Sequence, residues 1–423
     1  MLNHFLKNIS FFIFCIVFNL SFAENLSNSL ALELGSFEKE VKSEIATYKV
    51  YQYDFTSINK KSINKKWGKS SAFIDINNNY FFILTPDGQI FFFPSENFKI
   101  KKLSIQPIQN NIQDFFNFDK LNRNNEKTWF GTRDIKIIDN DIYISFIKPI
   151  SLNCYGISVL KSKIDLKKLH FSPIFNNDEC IAEKENGLLF DATQSGGKLD
   201  NFDETNFLLT IGDFGMGDLI KSKNPKQMIA QNKKSIFGKV LMINKISGQH
   251  KVLSMGHRSI NGLFFDYEKK IILSTEHGPQ GGDELNINDL KNIPKIKNYG
   301  WPIASDGKVY YFIYKDSNLN FKNHNDDNNF IPPIISLVPS VGISELACDM
   351  NTKNSNHKIC YVGTMGLNNY RSIVRIEFND NYKNIYTAER IFLNDRVRDL
   401  VMIGKNIVYY GETSSTLNFL KLN

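Results

Sequence analysis

One strand–turn–strand pattern recurs six times along this chain, and it constrains the fold more than any other feature. Each copy has a short apolar strand, a turn rich in Asn, Asp, Gly or Lys, and a second apolar strand. The copies begin at Phe73, Ile135, Leu199, Leu263, Leu346 and Leu400, with an average spacing of about 65 residues. β-Branched and aromatic residues dominate these segments, and 3.6-residue periodicity is nearly absent, so the pattern predicts strands.

Repeats of small antiparallel sheets around a central channel form a β-propeller, in which only short, protected edges remain. We therefore predict an all-β fold, a six-bladed β-propeller. A pair of β-sandwiches is the alternative, but it would not explain the nearly constant period. Because the six units fill almost all of residues 24–423, we predict one propeller domain there. The largest excess, residues 303–330, contains an Asn/Asp-rich stretch that we predict to be a surface loop.

The first 23 residues are predicted to be a signal peptide. Lys7 is their only charge, Ile9 to Phe22 is nearly continuous apolar sequence, and Ala23 ends a stretch suited to cleavage. A retained N-terminal anchor is the alternative. After cleavage the mature chain would have no membrane span, and the protein would be periplasmic or secreted. The net charge of +7 is spread along the chain, so nucleic acid is not an expected partner.

Export affects how the five cysteines are interpreted, because disulfides persist outside the cytosol. Cys15 lies in the predicted signal peptide. The sequence-near pairings of the others are Cys154 with Cys180 and Cys348 with Cys360, and the second would tie one hairpin. Four cysteines allow three connectivities, and buried free thiols are a further alternative. No spacing indicates a zinc site.

Residues that could carry chemistry concentrate between Gly256 and Pro302. Arg258 precedes a repeat strand, where a guanidinium could bind a carboxylate through two parallel hydrogen bonds. Glu276-His277-Gly278-Pro279 directly follows another strand, and Gly281-Gly282-Asp283-Glu284 comes next. Carbonyl and carboxylate oxygens suit a hard cation such as calcium. From spacing alone, a Gly/Pro turn with solvated acids is the preferred interpretation.

This segment resembles the soluble PQQ-dependent sugar dehydrogenases, the glucose/sorbosone dehydrogenase family. Members carry GHRNPQGL, then EQGP or EHGP followed three residues later by DE, and then NYGWP. The resemblance extends more loosely through QSGGKL at 194–199, TIGD at 210–213, GKVLMIN at 238–244, IPP…VPS at 331–340 and the RVRD near the C-terminus. It implies a six-bladed propeller, which agrees with the independent repeat count.

The resemblance implies that PQQ and a calcium ion bind at the channel mouth. It assigns cofactor binding to three arginines and to residues of the Gly/Pro turn, and calcium binding to the carbonyls of that turn, with a further calcium on the adjacent acids. The implied cofactor-binding residues are Arg258, His277, Gly278, Pro279, Ser340, Arg396 and Arg398. The implied metal ligands are Gly278, Pro279, Asp283 and Glu284.

The main departures from the family pattern concern proton transfer, and others are Ser259, Asn261 and Gly366, where the family has Asn, Gln and Lys. The family's general-base histidine corresponds to Thr193, whose hydroxyl cannot accept a sugar proton near neutral pH. Asp213, in TIGD, corresponds to the acid that orients that histidine. It could serve as a base through a water, or it is a turn acid.

The function predicted from these residues is PQQ- and calcium-dependent oxidation of an aldose or related alcohol by hydride transfer to the quinone. Its partners would be a sugar substrate and a separate electron acceptor of unspecified identity. One alternative is a catalytically impaired propeller that binds a sugar or a partner protein. Another is a calcium-dependent hydrolase of the lactonase type.

Overall fold

β-Strands make up most of the computed structural model. It describes residues 31–58, 71–77, 79–97, 102–116, 131–182, 184–185, 188–218, 225–291, 295–308, 321–326, 330–349, 357–367 and 370–422. The predicted signal peptide, residues 1–23, lies outside these ranges. Among the described residues, no helix is both long enough and apolar enough to cross a bilayer.

Among the described residues, the strands pair antiparallel except for β17 (His250–Met255) with β21 (Lys297–Asn298), and most of them group into six blades, which we number in chain order. The N-terminal hairpin is β1 (Leu32–Lys42) and β2 (Thr47–Asp54). Blade 1 is β3 (Phe73–Ile76), β4 (Tyr80–Leu84), β5 (Ile90–Pro94) and β6 (Lys102–Ile108). Blade 2 is β7 (Thr132–Ile138), β8 (Asp141–Ser151), β9 (Cys154–Lys163) and β10 (Ser172–Asn176), with β11 (Ile181–Ala182) beside β9. A separate ribbon follows, β12 (Lys184–Glu185) with β13 (Leu188–Leu189).

The remaining blades follow the same order. Blade 3 is β14 (Gly196–Asn201), β15 (Asn206–Ile211), β16 (Lys239–Asn244) and β17 (His250–Met255). The two-residue β21 (Lys297–Asn298) also lies beside β17 of blade 3. Blade 4 is β18 (Ile260–Asp266), β19 (Ile271–Glu276), β20 (Asp283–Asp289) and β22 (Ile335–Leu337). Blade 5 is β23 (Ile343–Cys348), β24 (His357–Thr364), β25 (Ser372–Asn379) and β26 (Ile385–Phe392). Blade 6 contains β27 (Val397–Ile403), β28 (Asn406–Gly411) and β29 (Thr416–Lys421).

The described helices are short. They are the single turn α1 (Gln113–Phe116) and 3₁₀ helices at Ser95–Asn97, Ala192–Gln194, Met216–Asp218, Pro225–Gln231 and His324–Asp326.

The innermost strands close into a ring. Each of β3, β7, β14, β18, β23 and β27 contacts the next, and β27 contacts β3. All six sequence repeats fall on the first two strands of their blades, so the prediction of a six-bladed β-propeller is confirmed.

The two ends of the chain complete blade 6 together. The N-terminal strand β2 pairs antiparallel with the C-terminal β29, from Lys49 opposite Lys421 to Asp54 opposite Thr416. The start of β1 also pairs with β6 of blade 1. Hydrogen bonds between distant parts of the sequence therefore hold the ring closed.

Apolar side chains fill the space between neighbouring blades. Between blades 2 and 3, for example, Tyr143 and Phe207 are buried with their ring centroids 5.1 Å apart. Carboxylates on the inner strands add polar links, because Asp134 accepts from Leu199 N at 2.7 Å and Asp399 from Ile74 N at 2.7 Å. Removal of this apolar surface from water stabilises the ring, and the carboxylates hold its register.

A buried lysine occupies the central channel. The Nζ of Lys198, from blade 3, lies 2.8 Å from Asp134, 2.5 Å from Glu345 and 3.1 Å from Asp399, which come from blades 2, 5 and 6. The carboxylate oxygens of these three acids lie within 4.8 Å of one another, a spacing that could hold a metal ion, and they are the one such group among the described residues. The ammonium of Lys198 bonds to all of them and also lies 5.4 Å from the Phe73 ring of blade 1. Lys198 therefore links five of the six blades.

Both sequence-near cysteine pairings are present. Cys154 is bonded to Cys180, and Cys348 to Cys360 across the β23–β24 hairpin. Within the Asn/Asp-rich stretch predicted to be a surface loop, residues 317–329, the structure describes 321–326, where Lys322, Asn323, Asn325 and Asp326 are exposed and one residue departs from the prediction. His324 is buried, with its Nε2 3.1 Å from the carbonyl of Tyr299.

Candidate active site

A cavity of about 700 Å³ lies at the end of the ring where the innermost strands begin. Its wall includes most residues that the sequence nominated, from blades 3, 4, 5 and 6. They are Thr193, Arg258, His277, Gly278, Pro279, Asp283, Ser340, Arg396 and Arg398. Asp213 and Glu284 are the nominated residues that do not line it.

Two cavity arginines lie in β-bulges at the start of innermost strands. The register between β7 and β8 shifts between Thr132 and Asp134, which places Arg133 in the bulge. The register between β27 and β28 shifts in the same way at Arg398. A bulge re-aims one side chain while the rest of the strand stays paired. Arg133 and Arg398 therefore line the cavity. The aspartate that follows each of them, Asp134 or Asp399, points into the central channel.

Glu412 forms ion pairs with two of the arginines. Its Oε2 accepts from Arg396 Nε at 2.7 Å, its Oε1 from Arg398 Nη2 at 2.5 Å, and Ser71 Oγ donates to it at 2.6 Å. Although burial raises the pKa of Glu412, Arg398 and Arg396 outweigh it and lower the value to about 2. The arginine pair expected to face cofactor carboxylates thus already holds one carboxylate of the chain.

Arg133 and Glu412 were not identified from the sequence. A signal for Arg133 existed, because Arg133-Asp134 repeats Arg398-Asp399 at the same position of another blade. Glu412 carries no comparable pattern. It follows β28 by one residue, and only the three-dimensional structure brings it to the two arginines.

The Gly/Pro turn after β19 is tightly folded. A Cβ on Gly278 would lie 1.7 Å from the carbonyl oxygen of Gly282, so this position tolerates no side chain. The carbonyl of Pro279 accepts from Gly282 N at 2.9 Å. Nη1 of Arg258 donates to the carbonyls of His277 and Gly278, both at 3.0 Å. Gly278 and Pro279 both line the cavity, and each of the two carbonyls that the resemblance assigns to calcium already accepts a hydrogen bond within the chain, that of Gly278 from Arg258 and that of Pro279 from Gly282 N.

The two acids of the DE pair point in different directions, because successive side chains of a strand alternate. Asp283 lines the cavity, accepts from Ile343 N at 2.9 Å and lies 3.5 Å from Nδ1 of His277. Glu284 is buried elsewhere and accepts from Asn286 at 3.2 Å. Burial and the neighbouring Glu276 raise the pKa of Glu284. The structure does not bring these two carboxylates to one site.

Asp213 is buried and does not line the cavity. Its carboxylate accepts from Gly215 N at 2.9 Å, Gly217 N at 2.8 Å and Trp301 Nε1 at 2.6 Å. The side chain is fully buried. Asp213 therefore does not line the cavity, whereas Thr193 is exposed on the cavity wall.

Comparison with known proteins decides the family. The family model described as "Glucose / Sorbosone dehydrogenase" matches residues 140–418. The chain belongs to the glucose/sorbosone dehydrogenase family. The match includes the turn after β19 and most of the cavity-lining residues.

Curated relatives of this glucose/sorbosone dehydrogenase family member match over shorter segments. An uncharacterized protein of Synechocystis sp. is 36% identical over 134 residues, 27% of this chain and 30% of that protein. Aldose sugar dehydrogenase YliI of Escherichia coli is 37% identical over 68 residues, 16% of this chain and 17% of that protein. The chain is thus aligned with less than a third of the length of either relative.

Solved structures share the fold. A glucose dehydrogenase superposes with a TM-score of 0.59 and 18% identity. The apo-form of the soluble aldose sugar dehydrogenase of Escherichia coli superposes with a TM-score of 0.58 and 17% identity. Each alignment covers 84% of this chain and 96% of the other. At these identities the likeness concerns the fold.

We predict that the stability of the folded protein falls in acid, because Glu412 is ion-paired with Arg396 and Arg398. The pKa of Glu412 is lowered from 4.5 to about 2 in the folded protein, so its stabilising effect is complete above pH 4.5 and is lost as the pH falls toward 2. We expect about 3 kcal/mol of unfolding free energy to depend on this group. Denaturant unfolding at a series of pH values measures it in the wild type and in Glu412→Gln. The difference between the two proteins should shrink below pH 4.5, and a difference independent of pH would contradict the assignment.

Proposed function

We propose that this protein is a PQQ- and calcium-dependent dehydrogenase that oxidises an aldose or a related alcohol in the periplasm or outside the cell. The observation that carries the proposal is the convergence of Arg258, Arg396, Arg398 and the Gly278-Pro279 turn on one cavity. Family membership supports sugar oxidation in general. The two disulfides, together with the predicted signal peptide, support export.

The charges of the cavity fit the cofactor and its ion. The described lining contains four arginines (Arg133, Arg258, Arg396, Arg398) and three carboxylates (Asp191, Asp283, Glu412), an excess of one positive charge. A calcium ion would raise the excess to three, which matches the three carboxylates of PQQ. The oxygen donors at the turn, together with Asp283, are the kind that calcium prefers.

The proposed roles follow from this arrangement. The arginines would hold the cofactor carboxylates by charge-assisted hydrogen bonds, and Ser340 and His277 would line its ring. The carbonyls of Gly278 and Pro279, with Asp283, would hold calcium. When bound, the quinone supplies a two-electron hydride acceptor and calcium supplies a Lewis acid that polarises it.

Reconstitution tests the proposal. Purified protein is titrated with PQQ and calcium, and reduction of an artificial dye is followed across a panel of aldoses and related alcohols. We expect saturable dye reduction that requires PQQ, calcium and sugar together. No sugar-dependent reduction despite stoichiometric PQQ binding would refute the enzymatic proposal and leave the binding proposal standing.

A second candidate is a propeller that binds a sugar or a partner without turnover. It is favoured by the exposed Thr193 on the wall where the family pattern has a histidine. Under this candidate the wild type is inactive, and Thr193→His, or Gln194→His at the adjacent lining position, restores activity. Turnover by the wild type would exclude it.

A further inference from the structure

A dehydrogenase at this cavity needs a group that accepts the hydroxyl proton of its substrate, and this inference rests on the proposed function. Among the described residues that line the cavity, His277 is the only histidine. It belongs to the Gly/Pro turn that we propose to hold calcium. Three lining carboxylates remain, namely Asp191, Asp283 and Glu412. Their partners differ, and the difference decides which of them can act as a base.

Two of the three carboxylates are committed elsewhere. Glu412 is bound by two guanidinium groups, which lower its pKa to about 2 and make it a very weak base. Asp283 accepts from the backbone N–H groups of Val341 and Ile343 at 3.1 and 2.9 Å, so it fixes the start of β23. Asp283 also belongs to the proposed calcium site.

Asp191 is presented differently. It caps the 3₁₀ turn Ala192–Gln194, and its Oδ1 accepts from Thr193 N at 2.8 Å and Thr193 Oγ1 at 2.6 Å. Its Oδ2 accepts from Gln194 Nε2 at 3.2 Å. All these donors are uncharged, and a carboxylate oxygen can accept more than one hydrogen bond. The partly exposed carboxylate can therefore take a further proton donor from the cavity.

The backbone around Asp191 is held in place. Its N–H donates to the carbonyl of Phe214 at 2.8 Å. On the facing blade, Arg133 Nη2 donates to the carbonyl of Ala192 at 3.1 Å. Burial and Arg398 lower the pKa of Arg133 to about 9, while the charge of Asp191 opposes that change. Arg133 is thus a charged group on the facing blade whose electrostatic interaction reaches Asp191.

We propose that Asp191 is the proton acceptor of the reaction. Its carboxylate takes the proton of the sugar hydroxyl. The C–H bond on the same carbon breaks, and its hydrogen leaves with the electron pair as a hydride to the quinone. The carbon–oxygen double bond of the lactone or carbonyl product forms from the oxygen's electrons. In this assignment Thr193 and Gln194 are positioning residues that aim the carboxylate.

The test uses the reconstituted full-length protein and a matched control. Asp191→Asn should lower kcat by about 10²–10⁴-fold. PQQ binding to the apoprotein, followed by tryptophan quenching, and the thermal unfolding temperature should stay unchanged. Asp203 is the control, because it accepts from Thr205 N at 2.8 Å and Thr205 Oγ1 at 3.0 Å in the same Asp-x-Thr arrangement outside the cavity. Asp203→Asn should keep wild-type kcat.

A second variant separates catalysis from structure. Asp191→Ala removes the carboxylate, and added formate or acetate should restore part of kcat, which a structural role would not permit. Full turnover by Asp191→Asn, or no recovery of Asp191→Ala with formate or acetate, overturns the assignment of Asp191 while the proposed function stands. An inactive wild type that binds PQQ instead overturns the proposed function, and the base assignment with it.

Discussion

Replacing Lys198 by methionine should lower the free energy of unfolding by about 3–5 kcal/mol, the cost of leaving buried charges without their partner. The ammonium bonds to Asp134, Glu345 and Asp399 in the channel, and its side chain is 5% exposed. Without it, three carboxylates from three blades would face one another in a site with little water. Their mutual repulsion would oppose ring closure, since these strands meet at the channel.

The pH dependence distinguishes this electrostatic effect from simple loss of packing. Burial already raises the pKa of Asp134 and of Glu345, and Lys198 opposes that shift. Removing the lysine should raise both pKa values further, so the variant should lose stability relative to the wild type as the pH rises. Denaturant unfolding at pH 5 and pH 8 measures the difference.

Two comparison variants sharpen the Lys198 experiment. Lys49→Met removes an exposed lysine 2.9 Å from Glu38 and should change the stability far less than Lys198→Met, as expected for a surface pair screened by water. Adding Glu345→Gln to Lys198→Met should recover part of the lost stability. Equal costs for the two lysines, or no recovery in the double variant, would show that the channel cluster does not hold the ring.

The second large effect concerns cofactor affinity. Arg398→Ala should weaken PQQ binding by about 10²–10³-fold, equivalent to roughly 3–4 kcal/mol, because an attractive guanidinium is lost and the buried Glu412 is left facing the anion. Fluorescence titration of the calcium-loaded apoprotein measures the change. Glu412→Gln in the same background should regain part of the affinity, since it removes a carboxylate that has lost one of its two arginine partners and keeps only Arg396.

Arg390→Ala is the matched control for this experiment. Arg390 lies 5.2 Å from the Tyr370 ring and does not line the cavity, so its loss should leave PQQ affinity unchanged. If Arg398→Ala and Arg390→Ala bind PQQ equally well, Arg398 does not contact the cofactor. The proposed placement of the quinone would then be wrong.

Some site features were predictable because their sequence signals are local. A tight Gly/Pro turn after a strand can be recognised from five or six consecutive residues, and Arg258 immediately precedes a repeat strand. Thr193 could be recognised as a departure because it lies beside the QSGG stretch. The roles of these residues remain predictions, whereas their common location on one cavity is a structural observation.

Other features depend on contacts between distant residues. Glu412 is 14 residues from Arg398 but meets it through strand pairing within blade 6. Asp283 and Glu284 are adjacent in sequence, yet the strand sends them to opposite faces. Asp191 carries no distinguishing sequence signal, because Asp side chains often bond the backbone two residues on in turns. Only its place on the cavity wall makes it a candidate base.

The sequence by itself determined the number of blades and the family, because both depend on patterns that repeat along the chain or lie within short segments. The tertiary structure decided how β2 and β29 close the ring, how Lys198 fills the channel, and which carboxylates reach the cavity. These outcomes depend on charges and strand edges brought together from several blades. No local pattern records such distances, since they exist only after the six sheets have packed around one axis.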